Sequence, residues 1–317
     1  MRIAIVGAGL AGLALCSILS KVAGVEVVLF DAKGIGKGAS GVSTGLLHPF
    51  PGKHAALSRY GKEAFVETLS FLQEVEEKLK RKIHTRCGIF RPAVTEEQRN
   101  DFQKRDETGL VDWMESHSIY GSGLWIPDGS VVFMRSYLDG LWELAEAAGA
   151  KFQRMEIFSL FDLQAFDQVV LTTGFETEKI LECKGLKSSK TKGQALLCRV
   201  KETIPFALAS NGHIAPTEDP HLVLVGSTYE RKFTHLEPDP EVALQLLQQV
   251  SSFYKEALQF EVIEVLAGVR VSHPHFHTPI IEKISPQAIV FTGLGSRGLL
   301  YHVFFAKKVA EMILNRA

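Results

Sequence analysis

A glycine-rich turn near the start constrains the fold of this chain more than any other feature. The turn, Gly7-Ala8-Gly9-Leu10-Ala11-Gly12, directly follows a short apolar run at residues 3–6. Such a run is typical of a strand buried on both faces of a parallel sheet. Residues 10–20 are rich in Ala and Leu, which favours a helix, and residues 25–30 form a second apolar run. This order predicts a βαβ unit whose helix opens at the glycine turn.

The spacing of the glycines predicts a dinucleotide site. Gly7 permits the tight turn, Gly9 lets a pyrophosphate approach the backbone, and Gly12 allows close packing of helix on strand. The helix N-terminus offers free N–H groups and a partial positive charge to that pyrophosphate. Asp31 ends the second strand, where a carboxylate accepts hydrogen bonds from a ribose. The alternative is a glycine turn that binds no ligand.

The rest of the chain predicts two interleaved domains in an α/β fold. Alternating apolar runs between residues 193 and 267 indicate an antiparallel sheet. We expect a Rossmann-type domain from residues 1–82, 130–192 and 265–317, and a smaller α+β antiparallel-sheet substrate domain from residues 83–129 and 193–264. The expected helices cover residues 10–20, 54–80, 95–118, 135–149, 240–258 and 299–314, with Gly149 closing the fourth.

Composition excludes several classes of protein. With 317 residues, 46% of them hydrophobic and 22% charged, the chain is an ordinary globular protein of about two domains. No apolar run approaches the ~20 residues of a membrane span, and we expect no signal peptide. The cysteines, Cys16, Cys87, Cys183 and Cys198, show no CxxC pairing and indicate reduced thiols in a cytoplasmic protein. The net charge of −1 argues against a strong polyelectrolyte binder.

Two further glycine-rich segments favour FAD over NAD. Residues 38–41 and 44–49 form a second loop of small residues, which can lie along a longer cofactor. The turn at residues 293–298 leads into a helix, whose N-terminus would stabilise negative charge at the N1–C2=O edge of a flavin. As bare patterns, these turns leave ligand contact open.

Taken together in this order, the motifs resemble the D-amino-acid oxidase-like superfamily of FAD-dependent oxidoreductases, which includes glycine oxidase and sarcosine oxidase. Within it, the chain is most similar to the FAD domain of the MnmC family of tRNA-modification proteins. The resemblance spans nearly the whole chain and rests on the opening turn, Gly38-Ala39-Ser40-Gly41, residues 169–174, Gly193-Gln194, Gly226-Ser227-Thr228, Gly268-Val269-Arg270 and residues 293–298.

The resemblance implies FAD lying between the two domains and oxidation of a C–N bond. We expect the FAD to be bound without a covalent link, although His48 lies near the expected flavin and leaves attachment open. The implied cofactor residues are Gly7, Ala8, Gly9, Leu10, Ala11, Gly12, Asp31 and Ala32 for the ADP half, Ser40 and Gly41 for the pyrophosphate side, Thr44, Gly45 and Leu46 for the flavin, Gly293, Gly295, Ser296, Arg297, Gly298 and Leu299 for the ribitol and pyrimidine edge, and also Thr173 and Gly174.

Three residues are candidates for the substrate side of the reaction. Arg270 matches the arginine that clamps a substrate carboxylate in the family, and a planar guanidinium suits bidentate carboxylate binding. The alternative is a strand-end arginine in an ion pair. His48 and Tyr229 are candidates for polar contacts near the ring, against a role in packing. No general base is assigned, because none is required if the amine enters neutral.

The expected activity is that of a FAD-dependent amine or amino-acid oxidase, of the EC 1.4 or 1.5 type. Its substrate would be an N-substituted glycine and, in the sharpest form of the hypothesis, the carboxymethylaminomethyl group of a tRNA wobble uridine. Molecular oxygen or another acceptor would reoxidise the flavin. The alternatives are an oxidase of a free small amino acid (glycine, sarcosine or a D-amino acid), an electron-transfer flavoprotein without an amine substrate, and an NAD-dependent dehydrogenase.

Three polar clusters remain. The histidines of His273-Pro274-His275-Phe276-His277 would share one face of a strand, but the proline weakens that interpretation, and no metal site is predicted. Two basic clusters could meet tRNA phosphates, or could be a solvated helix end and a flexible loop. They are Lys78, Lys80, Arg81, Lys82, Arg86 and Arg91, and Lys184, Lys187, Lys190 and Lys192.

Overall fold

Two large sheets organise the chain in the computed structural model, which describes residues 1–117 and 120–315. The helices are α1 Leu10–Leu19, α2 Gly61–Leu79, α3 Glu96–Gln103, α4 Met134–Ala147, α5 Pro240–Val250 and α6 Gly298–Leu314. The strands are β1 Arg2–Val6, β2 Glu26–Phe30, β3 Leu46–Leu47, β4 His84–Thr85, β5 Ile89–Pro92, β6 Asp112–His117, β7 Gly121–Ile126, β8 Ser130–Val132, β9 Lys151–Gln153, β10 Gln168–Leu171, β11 Ser189–Arg199, β12 Ala207–Ser210, β13 Gly212–Pro216, β14 Leu222–Gly226, β15 Glu261–Ser272, β16 Ile280–Lys283 and β17 Ala288–Thr292.

The first sheet has six strands in the order β16-β17-β10-β1-β2-β9. Neighbours from β17 to β9 run parallel, and β16 is antiparallel to β17. Both faces of the sheet are covered. On β1, Ile3 and Ile5 face a core that includes α1, α4 and α6, whereas Ala4 and Val6 face a second core on the opposite side. Burial on both faces explains why β1 is a continuous apolar run.

The second sheet has eight strands in the order β15-β11-β14-β13-β12-β5-β7-β6. Its pairs are antiparallel, apart from the parallel pair of β5 and β12. Helix α5 packs on one face, where Leu246 and Val250 join the core around Val223 and Val225. A small antiparallel sheet, β3-β8-β4, completes the fold. The expected α/β class, with a Rossmann-type sheet interleaved with an antiparallel sheet, is confirmed.

The domain limits drawn from sequence stay a prediction. Two of them, after residue 192 and after residue 264, fall inside strands β11 and β15. The eight-stranded sheet therefore extends to Ser189 and Ser272 on its two longest strands. The last two residues of the expected segment 265–317 lie outside the described residues.

Three of the expected helices are shorter than their polar and apolar patterns predicted. Helix α2 begins at Gly61 rather than at residue 54, after Tyr60 in a left-handed conformation. The expected helix at 95–118 is wrong beyond Gln103, because Asp112–His117 pairs as the edge strand β6 with β7. An edge strand tolerates polar residues, which conceal its type from a pattern analysis. Ser118 lies outside the described residues. Helix α5 ends at Val250, and a 3-10 turn follows at Lys255–Gln259.

Two helices, α3 and α5, begin with a capping side chain. Thr95 caps α3 by accepting a hydrogen bond from the Gln98 N–H, and Asp239 caps α5 ahead of Pro240. Gly149 has φ of 97°, as expected for a glycine just past the end of α4. No helix of the described ranges has the length and apolarity that a membrane crossing needs. All cysteines are free thiols.

Candidate functional site

The glycine turn between β1 and α1 has the close contacts that its spacing predicts. A Cβ atom on Gly12 would lie 1.9 Å from the carbonyl oxygen of Gly7, so only glycine allows α1 to start so near the strand. Gly7 has φ of 109°, in the left-handed region that favours glycine. Gly9 occupies the N-cap position without a side chain, and the Ala11 and Gly12 N–H groups have no acceptor in the described part of the chain. These free donors can receive an anion.

Thr172 anchors this turn from the neighbouring strand, and sequence analysis missed it. Its hydroxyl lies 2.9 Å from the Val6 carbonyl oxygen and 2.8 Å from that of Gly7. The side chain is buried, directly after β10. The sequence Thr172-Thr173-Gly174 at the end of a buried strand is the feature that could have indicated this role. Only Thr173 and Gly174 of the three are predicted to contact the cofactor. Thr173 hydrogen-bonds Thr177, and Gly174 has φ of 54°. The assignment of these two residues to the cofactor stays a prediction.

Asp31 lies at the end of β2 and faces the glycine turn. Its Oδ2 accepts a hydrogen bond from the Ala8 N–H at 2.8 Å, and its Oδ1 accepts from Lys33 and Gly34, also at 2.8 Å. A carboxylate has about four lone-pair sites, so one remains for a ribose hydroxyl. Ala32 follows, with its carbonyl oxygen 3.3 Å from the Nε of Arg154.

The second small-residue loop lies against the first turn. Ser40 Oγ accepts a hydrogen bond from the Leu10 N–H at 3.0 Å and would contact a Cβ on Gly9 at the same distance. Gly41 and Gly45 leave no room for side chains, because a Cβ would lie 2.1 Å from the Gly36 oxygen or 2.0 Å from the Val132 oxygen. Leu46 continues into β3, which pairs with β8.

The C-terminal glycine turn brings a second helix N-terminus to the same place. A Cβ on Gly298, the first residue of α6, would lie 3.3 Å from Leu10, the first residue of α1. No side chain of the described residues caps α6. Gly293 and Gly295 have φ of 73° and 58°. Two uncapped helix ends, with a close-approach glycine at each, fit a ligand that carries an anion and a second electron-rich group, as FAD does.

Strand β15 directly contacts both the loop at residues 38–42 and the C-terminal glycine turn. Ser272, at its end, forms an isolated antiparallel bridge with Leu294 of the C-terminal turn. A Cβ on Gly268 would lie 3.1 Å from Ala39 Cα and 2.7 Å from Val42. Residue 270 therefore lies between the two loops along the strand.

Arg270 is a half-buried arginine without an ion-pair partner among the described residues. Its Nη1 donates to Ser227 Oγ at 3.2 Å and its Nη2 to the Thr228 carbonyl oxygen at 2.7 Å. The Nε–H is buried and unpartnered. Gly193 makes the space, since a Cβ there would lie 2.2 Å from Nη2. A guanidinium has five N–H donors, so three remain for a ligand, and the ion-pair alternative has no partner here.

Tyr229 and Arg297 interact electrostatically and lie on the exposed side of this site, which is called its mouth below. The Arg270 guanidinium carbon lies 4.2 Å from the centre of the Tyr229 ring, and that ring is 64% exposed. Arg297 Nε donates to Ser58 Oγ at 3.2 Å, and burial lowers the Arg297 pKa. Ser296 is exposed beside it, and Leu299 is buried in the core. The mouth is therefore rich in arginine and opens beside an exposed aromatic ring.

Two histidines behind the mouth are held neutral. His213 Nε2 lies 2.6 Å from Thr44 Oγ1, and burial, reinforced by the charge of Arg270, lowers the His213 pKa to about 4. Burial, with the charges of Arg91 and His213, lowers the pKa of His48 to about 3. His48 Nδ1 accepts a hydrogen bond from the Phe50 N–H. His213 was not predicted from the sequence, because no local motif marks it.

The basic clusters differ from the expectation in two residues. Arg91 is not a surface cation, because it is buried and donates to the carbonyl oxygens of Phe50 and Gly52. Lys192 is also buried. In the rest of the first cluster, acids pair with Lys78, Arg81 and Arg86.

The histidine-rich segment forms a local turn. His273 Nδ1 accepts hydrogen bonds from the N–H groups of His275 and Phe276, both at 3.1 Å. A separate group, His54, Glu97 and Asp101, brings three possible ligand atoms within 4.8 Å of one another at the surface. His54 Nδ1 and Asp101 Oδ2 already lie at hydrogen-bond distance from each other, 2.6 Å.

Comparisons with known proteins agree with this geometry. The family model described as FAD dependent oxidoreductase (DAO) matches residues 2–312. The tRNA 5-methylaminomethyl-2-thiouridine biosynthesis bifunctional protein MnmC of Leptospira borgpetersenii is 28% identical over 383 aligned residues, covering 98% of this chain and 57% of that protein. The protein of the same name from Campylobacter jejuni is 26% identical over 285 residues, covering 85% and 44%. The chain thus spans about half the length of these curated relatives.

A solved structure shows the same fold over the whole chain. Glycine oxidase from Geobacillus kaustophilus superposes with a TM-score of 0.84 at 20% identity, covering 99% of this chain and 95% of that one.

Proposed function

Because this chain belongs to the DAO family of FAD-dependent oxidoreductases, we propose that it oxidises the C–N bond of a carboxymethylamino group. Such a group is an N-substituted glycine, a secondary amine that bears a carboxylate. In the sharper form of the proposal, the group is carried on the wobble uridine of a tRNA.

The environment of Arg270 is the observation that supports this proposal. It is a half-buried cation with free donors, and no acid of the described chain neutralises it. A partly desolvated guanidinium without a partner favours a bound carboxylate, which would satisfy both its charge and its planar donors. The Tyr229 ring over the guanidinium fixes its plane and adds a cation–π contact.

FAD is the cofactor that the family implies, and the glycine turns fit it. The first turn, with Ser40 and Asp31, would hold the ADP half, and the α6 N-terminus would lie near the flavin. When bound, FAD accepts the hydride that leaves the carbon beside the amine nitrogen, and water then cleaves the resulting imine. We expect non-covalent binding, so acid precipitation should release all yellow colour into the supernatant.

The residues around the site orient the substrate and keep it unprotonated. His213 and His48 are neutral at pH 7, because their pKa values are lowered to about 4 and about 3. A neutral imidazole does not stabilise a neighbouring cation as a carboxylate would, so neither histidine favours a protonated amine. The amine is therefore expected to react in its neutral form, which needs no strong general base, and the chain contributes by orientation.

The tRNA form of the proposal rests on the curated relatives, which are named for tRNA 5-methylaminomethyl-2-thiouridine biosynthesis. The open mouth beside Tyr229 is compatible with a group carried on a larger molecule. This form would place the reaction in the cytoplasm, with molecular oxygen as one acceptor for flavin reoxidation.

An anaerobic substrate screen tests the proposal. Holoenzyme is mixed without oxygen with tRNA bearing carboxymethylaminomethyluridine, with unmodified tRNA as the matched control, and with sarcosine, glycine and D-alanine. Bleaching of the flavin band by the modified tRNA alone is the expected result. Rapid bleaching by the small amino acids, with no response to modified tRNA, would replace the proposal with an oxidase of free amino acids.

A further inference from the structure

A basic cleft lies on the opposite face of the eight-stranded sheet from Arg270. It has a volume of about 670 Å³. Its lining includes Lys190, Lys192, Arg231, Lys232, Phe233 and Asp239. We propose that this cleft binds a backbone phosphate of the RNA that carries the reacting group. The proposal rests on the tRNA form of the function above and adds a second contact to it.

Lys192 makes the cleft an anion site rather than a patch of surface charge. Its side chain is 1% exposed, and no carboxylate of the described residues pairs with it. The Nζ donates one hydrogen bond, to the Glu237 carbonyl oxygen at 2.6 Å. An ammonium has three N–H donors, so two lack an acceptor in the described chain. A buried, unpaired charge is costly, and a bound anion would offset that cost.

The acids of the cleft are directed to other partners. Glu230 accepts hydrogen bonds from Thr228 Oγ1 and Gln194 Nε2. Asp239 caps α5 by accepting from the N–H groups of Glu241 and Val242. One oxygen of each acid, Glu230 Oε1 or Asp239 Oδ1, accepts both of these hydrogen bonds, and neither acid forms an ion pair with Lys192.

The rim adds free positive charge and an aromatic ring. Arg231 and Lys232 are exposed and form no ion pair with any described residue. Lys190 is paired with Glu178 at 2.6 Å. Phe233 is half-buried in the lining. Cations beside a partly exposed aromatic ring form a surface on which RNA phosphates and bases bind together. A free phosphate would use the cations but not the ring.

Strand alternation places the cleft and the Arg270 site on opposite faces of the neighbouring strands β11 and β15. Thr191 pairs with Arg270, and Lys192 pairs with Glu230. Successive side chains point to opposite faces, so Arg270 and Tyr229 share one face and Lys192 and Glu230 the other. Residues 231–235, which line the cleft, follow Tyr229 closely in the chain. A free amino acid bound at Arg270 lies on the other face of the sheet from the cleft, whereas a polynucleotide can extend around β15, the edge strand.

RNA binding by charge-matched variants tests the proposal. The probe is a fluorescein-labelled, unmodified anticodon stem-loop RNA, and its anisotropy is followed with holoenzyme across a NaCl series. The test variants are Arg231→Gln/Lys232→Gln at the exposed rim, which should fold normally, and Lys192→Gln at the floor. The control, Lys201→Gln/Lys255→Gln, removes the same charge from exposed lysines elsewhere on the chain.

We expect the rim variant to bind RNA about tenfold or more weakly, and its salt slope to fall by about 1. The control should match the wild type. Unchanged RNA affinity in both test variants overturns the proposal, as does RNA binding that the control weakens equally. Inorganic phosphate that binds the cleft while RNA does not would also overturn it, in favour of a free anion.

RNA binding and flavin bleaching together distinguish a wrong assignment of the cleft from a wrong proposed function. If modified tRNA bleaches the flavin but the cleft variants bind RNA normally, only the cleft assignment falls. If the cleft variants lose RNA affinity but modified tRNA never reduces the flavin, the cleft stands as an RNA site and the proposed oxidation falls.

Discussion

Thr44 Oγ1 lies 2.6 Å from His213 Nε2, and this single hydrogen bond joins the second cofactor loop to strand β13 of the eight-stranded sheet. Gly226 fits beside both groups, since a Cβ there would lie 2.8 Å from His213 Nε2 and 3.0 Å from Thr44 Cγ2. The contact therefore connects the loop at residues 44–49, where the flavin is expected, with the sheet that carries Arg270.

Thr44→Val should weaken this connection, because it removes the hydrogen bond to His213. The valine has the same shape but no hydroxyl, so His213 Nε2 would lose its partner, at a cost of about 1–3 kcal/mol for the buried group. We expect a lower free energy of unfolding for the holoenzyme and faster loss of FAD on dilution. Urea unfolding and flavin fluorescence measure both. Thr44→Ser keeps the hydroxyl and should behave like the wild type, and equal losses in the two variants would contradict the role of the bond.

Arg270→Leu should weaken the binding of substrates that carry a carboxylate, while FAD remains bound. Loss of a charge-assisted hydrogen bond is worth ~1.5–3 kcal/mol, which corresponds to about a tenfold to hundredfold rise in KM. Flavin reduction rates at increasing substrate concentration give the value. Arg199→Leu is the control, because Arg199 is an exposed arginine whose ion pair with Glu261 lies at the surface. An unchanged KM in the Arg270 variant would remove this residue from the substrate site.

Gly12→Ala should prevent formation of the dinucleotide turn. The added Cβ would lie 1.9 Å from the Gly7 carbonyl oxygen and 2.6 Å from Thr172 Oγ1, and the first of these is backbone that cannot move aside cheaply. We expect purified protein without a visible flavin band. Gly185→Ala introduces the same methyl group into open space and should retain full flavin content. A yellow Gly12 variant with normal stoichiometry would disprove the packing argument.

The stability of the protein should fall as the pH drops below 6.5. His302 Nδ1–H donates to the Leu299 carbonyl oxygen, and its Nε2 accepts from the Tyr137 hydroxyl at 2.6 Å, so the buried ring is neutral. Burial lowers its pKa to about 4. Between pH 6.5 and 4 the unfolded state therefore binds a proton that the folded state does not. The contribution is complete above pH 6.5 and declines by at most about 1.4 kcal/mol per pH unit below it.

His302→Gln separates this effect from general acid sensitivity. The variant should be less stable than the wild type at pH 7.5, but the difference should shrink at pH 5, because glutamine takes up no proton. Urea unfolding at the two pH values measures the difference. His221→Gln, which makes the same replacement at an exposed histidine, is the matched control. A constant difference for His302→Gln would assign the acid response to other groups.

The parts of the fold that sequence predicted are those set by local spacing. The first βαβ unit and the strand Ala288–Thr292 with its glycine turn each follow from contiguous apolar runs and glycines. Thr172 and His213 act across the register of non-adjacent segments, which a single sequence does not encode visibly.

Local charge patterns predicted the wrong exposure for two basic residues that lie on strands. Lys192 and Arg91 stand in basic runs, which predicted exposure. On β11 and β5 their positions face inward, and the carbonyl oxygens of Glu237, Phe50 and Gly52 receive their donors. A solvated helix end and an internal strand thus have the same local composition, and only the pairing distinguishes them.

The parallel sheet also sets the order in which the cofactor site can form during synthesis. The glycine turn leaves the ribosome first, but β10, which supplies the adjoining Thr172, begins at Gln168, and β17 begins only at Ala288. Long-range pairing of this kind is slow and exposes unpaired strand edges until the last partner arrives. If the turn at residues 293–298 lines the flavin as proposed, a nascent chain halted before it lacks that side of the site, and binding of FAD must follow synthesis of this turn.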